Sequence, residues 1–137
     1  MQTITMMDLM QLNLFTKITG VKTSSLFKYN NIVFFGVAPQ FLRMALGDNA
    51  SNLKKVGDAI RRRVRIVPLP KSKEDRQTFF EKITDPISIK EIQETENEIL
   101  INSGGMNKAA LIGRDKRRLI EMQKISKDFF GKDLRVI

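Results

Sequence analysis

Between Met7 and Gly20 the apolar residues Met7, Met10, Leu14 and Ile18 recur at three- and four-residue intervals, the period of one helix face. Gly20 follows where a helix C-terminus takes its left-handed residue. The spacing predicts an amphipathic helix with methionine as core filler. Leu26 to Tyr29 and Ile32 to Val37 are β-rich runs on either side of the turn-forming pair Asn30-Asn31, which predicts two tightly joined strands. Pro39 opens a short helix that ends near Gly47. A second helix from Ser51 carries Leu53, Val56 and Ile60 on one face, and Val64-Arg65-Ile66-Val67 alternates as a closing strand. The predicted order is helix, strand, strand, helix, helix, strand.

That order comes twice. Phe15-Thr16-Lys17-Ile18-Thr19-Gly20 returns as Phe80-Glu81-Lys82-Ile83-Thr84-Asp85, with four identities in six positions. The second copy predicts a helix around Phe79, Phe80 and Ile83, then strands near Ile87 to Glu94 and Glu98 to Asn102. A helix from Met106 follows, then a longer one burying Leu119, Met122, Ile125 and Phe129, then the strand Leu134 to Ile137. Pro68-Leu69-Pro70 forbids helix at the junction, so the domains are set at residues 1–69 and 70–137.

Composition narrows the function. The 137 residues are 42% hydrophobic and 28% charged, the balance of a water-soluble chain with a real core. There is no cysteine and no histidine, which excludes thiolate zinc sites and the hydrolytic triads that depend on an imidazole base. No enzyme is expected, nor a metal, a cofactor or a small-molecule substrate. The apolar N-terminal run is broken by Asp8, Gln11 and Asn13, so neither a signal peptide nor a membrane span is expected, and the expected location is cytoplasmic.

Twenty-four Lys and Arg against 15 Asp and Glu give a net charge of +9, the footprint of a polyanion partner. Residues 43–65 hold seven basic and two acidic side chains, and 106–137 hold nine and four, so each stretch is +5. The intervening 70–105 hold five and eight, a net −3. Basicity therefore sits on the two helix pairs. At the turns within those pairs, Gly47-Asp48-Asn49-Ala50 and Gly113-Arg114-Asp115-Lys116, a glycine lets the backbone approach a ligand, and the next helix points its positive end at the turn. Arg43, Lys54 and Lys55 surround the first turn. Lys108, Arg114, Lys116, Arg117 and Arg118 surround the second, and Arg61, Arg62, Arg63 and Arg65 lie further along the first copy. The alternating carboxylates Glu91, Glu94 and Glu96 read as a solvated strand face.

Two copies of helix, strand, strand, helix, glycine turn, helix, strand, with the Phe15-to-Gly20 phrase, resemble the archaeal NusA-like transcription factors over nearly the whole chain. The resemblance implies an α+β fold of two tandem type II KH domains, each a three-stranded mixed sheet with helices packed on one face. It implies single-stranded RNA with its phosphate backbone on a Gly-x-x-Gly turn and its bases on an aliphatic floor such as Ile112 and Leu119. It also implies RNA polymerase as a partner in elongation or termination, with the ribosome as the other candidate. Ala50 and Lys116 stand in the fourth place of the pattern, and Asp48 sets a negative charge where a phosphate should lie. The second turn is therefore the expected principal contact. A degenerate KH scaffold that docks through protein contacts remains the alternative. A DNA-binding helix-turn-helix would also place arginine after a glycine turn, but the flanking strands argue for a crossover on a sheet.

Overall fold

The computed structural model describes residues 4–137, so the first unit is described from Ile4 and the remainder of its expected span lies outside the described residues. The chain forms two compact units that meet between Leu69 and Pro70.

The first unit opens with α1 (Met6–Thr19), started by a reciprocal cap: the Asp8 amide donates to Thr5 Oγ1 and the Thr5 amide to the Asp8 carboxylate, each at 3.1 Å. Gly20, left-handed at φ 78°, ends it. The hairpin β1 (Ser25–Tyr29) and β2 (Ile32–Val37) turns on Asn30 and Asn31, at φ 53° and 63°. Two consecutive left-handed residues make the tight turn whose twist matches the strands, and asparagine tolerates it. The chain then runs through α2 (Leu42–Leu46) and α3 (Ser51–Ile60) to β3 (Arg63–Pro68), which pairs parallel with β2. The sheet order β1-β2-β3 makes the helix pair a crossover covering one sheet face. Phe15 stacks on Phe35 at 4.3 Å between ring centres, in a core with Leu12, Val33, Val56 and Ile66.

The second unit repeats this with α4 (Lys73–Thr84), β4 (Glu91–Glu94), β5 (Glu98–Asn102), α5 (Lys108–Ile112), α6 (Arg117–Phe130) and β6 (Asp133–Val136). Its sheet order is β4-β5-β6, again antiparallel then parallel. The repeated phrase has a physical content that explains its identities. Phe15 and Phe80 are both fully buried. Thr19 Oγ1 donates to the Phe15 carbonyl at 2.8 Å, and Thr84 Oγ1 to the Phe80 carbonyl at 3.0 Å. Each threonine hydroxyl thus bonds back to the carbonyl four residues earlier in its own helix, so the buried hydroxyl is satisfied without a partner from elsewhere in the fold.

Several expectations need correction. Met7 and Met10 are 60% and 57% exposed, and the inward face of α1 is Gln11, Leu12, Phe15 and Thr19, with Leu14 and Ile18 half-buried. Residues 87–89 are not strand, because the Ile87 amide turns back to the Thr84 carbonyl and pairing begins only when the Lys90 amide reaches Asn102. Met106 lies in a turn ahead of α5, almost wholly exposed. Leu119 and Phe129 are half-buried, while Met122, Ile125 and Ser126 form the buried stripe of α6. Glu94 is not on a solvated face: its side chain is 10% exposed and pairs with Arg76 and with Lys132. Arg76 also lies 4.4 Å over the Phe130 ring, tying α4, β4 and the end of α6 together. Among the described residues no helix is long and apolar enough to cross a membrane.

Candidate functional site

The two glycine turns share one backbone. Gly47 has φ 74° and ψ 179°, and Gly113 has φ 77° and ψ 173°, a region that only glycine occupies readily. Asn49 and Ala50 then sit left-handed at φ 54° and 56°, and Asp115 and Lys116 at φ 55° and 61°. Alanine and lysine are held there against the crowding of their own Cβ atoms. Ladder bonds match as well, with the Gly47 amide on Arg43 O at 3.0 Å and the Gly113 amide on Ala109 O at 2.9 Å.

Each turn is braced by the side chain five residues after its glycine. Asn52 Nδ2 donates to Ala45 O at 3.1 Å, and an Arg118 guanidinium nitrogen donates to Ala110 O at 2.8 Å. A Cβ on Gly47 would stand 2.8 Å from Asn52 Nδ2, and one on Gly113 2.9 Å from Arg118 Cγ. The glycines are thus required twice, by dihedral angle and by space. Sequence reasoning missed both braces. The shared five-residue offset was the available signal, but Asn52 and Arg118 differ in chemistry and disguise it.

In the second turn Arg114, Asp115 and Lys116 are exposed, and Arg117 is exposed at the first position of α6. No side chain caps α6; within the turn the Lys116 amide donates to Gly113 O and the Arg117 amide to Arg114 O, and the helix's positive end faces the turn. Lys108 is exposed at the start of α5, about 6 Å of helix rise from Ile112. Arg118 is half-buried and engaged with Ala110, so it acts as a brace as well as a cation. Ile112 and Leu119, the expected floor, are half-buried on either side of the turn. Ion pairs join Arg76 and Lys132 to Glu94, Lys127 to Asp133 and Arg135 to Glu98. None of them engages Lys108, Arg114, Lys116 or Arg117.

The first turn has the same shape and a different charge. Asp48 and Asn49 are exposed, Ala50 is half-buried, and Arg43 is exposed on α2. Lys54 is exposed on α3, where it lines an open groove of about 630 Å³ with Leu53, Gly57, Asp58, Arg61, Arg62, Arg63 and Val64. What the arrangement offers is two glycine turns ahead of helices that no side chain caps, the second with Arg114 and Lys116 against Asp115, a net +1, and the first with Asp48 alone, a net −1.

No protein-family model matches the chain, and no curated protein matches it. It is similar to the crystal structure of APE1850, with a TM-score of 0.65 and 21% identity over 98% of this chain and 99% of that one. That likeness concerns the fold, and the fold is α+β: two small units, each with a three-stranded mixed sheet and helices.

Proposed function

We propose that the protein binds single-stranded RNA through two type II KH units, with the phosphate backbone held at Gly113, Arg114, Asp115 and Lys116. The observation that supports this best is the identical backbone of the two turns. Left-handed Ala50 and Lys116 are costly, and such strain persists where the surroundings enforce it, commonly at ligand sites. At the second turn Arg114, Lys116, Arg117 and Lys108 supply exposed cations, while half-buried Ile112 and Leu119 offer apolar surface to bases. Asp48 makes the first turn the weaker contact. In this reading the protein is a binding protein rather than an enzyme. The resemblance to NusA-like factors makes RNA polymerase the expected partner during elongation or termination.

The salt dependence of RNA affinity tests the reading. Binding of a short unstructured RNA should weaken linearly in log–log form, with a slope near −0.7 per neutralised phosphate. Preference for duplex DNA would transfer the site to a helix-turn-helix mode. A second reading, a scaffold that docks on polymerase or the ribosome through protein contacts, draws on the exposed methionines Met6, Met7 and Met10 of α1. It predicts no affinity for free RNA at low salt together with co-purification with the large machine.

A further inference from the structure

The two units differ most where the second crossover helix hands over to the last strand. The parallel ladders start at Ile32 with Arg63 in one unit and at Glu98 with Asp133 in the other, so Arg61, Arg62 and Arg63 correspond to Gly131, Lys132 and Asp133. In the second unit every one of these is accounted for. Gly131 takes the left-handed position at φ 67° without a Cβ, Lys132 Nζ bonds Glu94 at 2.6 Å and Thr95 O at 2.8 Å, and Asp133 pairs with Lys127 at 3.1 Å. In the first unit arginine holds the left-handed position, at φ 56° and ψ 44°, and Arg61, Arg62 and Arg63 are all exposed.

The turn that carries them is firmly built. The Arg62 amide donates to Gly57 O at 3.2 Å, and a Cβ on Gly57 would stand 3.1 Å from Arg62 O, so the absent side chain lets the chain fold back over α3. The carbonyl end of a helix favours a nearby cation, but three in succession exceed what it needs, and the second unit meets the same end with Lys127. The two units have also exchanged their charges. The second turn carries Arg114 and Lys116 against Asp115, a net +1, whereas the first carries Asp48 and no cation between Gly47 and Ala50, a net −1.

From this exchange we infer that the first unit grips the single strand through Arg61, Arg62 and Arg63 at the exit of α3, and not through its glycine turn. Guanidinium groups fork onto phosphate oxygens, and Lys54 adds a further cation across the groove, whose half-buried Leu53 and Val64 give a base an apolar surface. This rests on the RNA-binding reading above, and it assigns a separate surface to each unit.

The test is fluorescence anisotropy of a labelled short oligouridine with the full chain across a salt series. Arg62→Gln with Arg63→Gln should bind several-fold more weakly, with a log–log salt slope shallower by about 1.4, two phosphates at about 0.7 each. Arg61→Gly should also bind more weakly while melting at a higher temperature, since glycine relieves the left-handed strain. That pairing separates a ligand contact from a folding defect. Unchanged affinity and slope in the double variant, in a parent that binds and loses binding when the second turn is charge-reversed, overturns this inference alone. No binding by the parent overturns it together with the RNA-binding reading.

Discussion

The aliphatic stem of Arg118 fills the space a side chain on residue 113 would need: a Cβ there would lie 2.9 Å from Arg118 Cγ and 3.1 Å from its Cβ. One residue thereby fixes the turn from beneath, through that contact and through its bond to Ala110 O. Gly113→Ala should cost about 2 kcal/mol, the scale of strain in a glycine-only backbone region, as read by urea unfolding. Gly47→Ala should behave alike, since Asn52 occupies the same place. RNA affinity should fall with Gly113→Ala.

Lys116→Gly should separate stability from binding. A left-handed lysine costs about 1–2 kcal/mol, and glycine's extra unfolded-state freedom takes back about 0.5–1, so the variant should be more stable by about 0.5–1 kcal/mol. Its RNA affinity should nevertheless fall and its salt slope become shallower by about 0.7. Tighter binding would instead mean that the lysine side chain obstructs the turn. Ala50→Gly should show the stabilisation alone.

Glu94 holds Arg76 and Lys132, whose side chains are 21% and 15% exposed. Glu94→Ala leaves two shielded cations facing each other and should cost about 2–3 kcal/mol, measured by thermal or urea unfolding. The exposed Arg135–Glu98 pair should contribute far less, about 0.2–1 kcal/mol.

Glu74, in the first turn of α4, is held below the usual glutamate value of 4.5 by a backbone hydrogen bond and then by the Ser72 hydroxyl. A lowered folded value means that its contribution is present above about pH 4.5 and is lost as the pH falls through the folded value. A carboxyl-carbon titration by NMR should give a midpoint below 4.5, and Ser72→Ala should move it upward.

Much of this was legible in the sequence because it depends on neighbours along the chain. Asn30-Asn31 announced the hairpin, and the Phe15 and Phe80 phrases announced the repeat because each Thr–Phe hydrogen bond spans four residues. The glycine turns were legible for the same reason. The face of α1 was misread because methionine scores as apolar, while the buried stripe includes Gln11 and Thr19. Glu94 looked like a solvated residue because its partners lie 18 and 38 residues away. At the candidate site, the cations were readable from composition, but the brace at Arg118 and the unequal fates of Arg61–Arg63 and Gly131–Asp133 required the ladder register and the backbone angles.

If RNA is held chiefly at the second glycine turn, reversing the charge there should remove binding. Affinity for a short unstructured RNA should be measured for the parent, for Arg114→Asp with Lys116→Asp, and for Arg43→Asp. Both sites are exposed, so the variants should fold as the parent does. The double variant should lose binding by well over ten-fold while Arg43→Asp changes it little. Intact binding in the double variant, with loss in Arg43→Asp, would contradict a principal contact at the second turn.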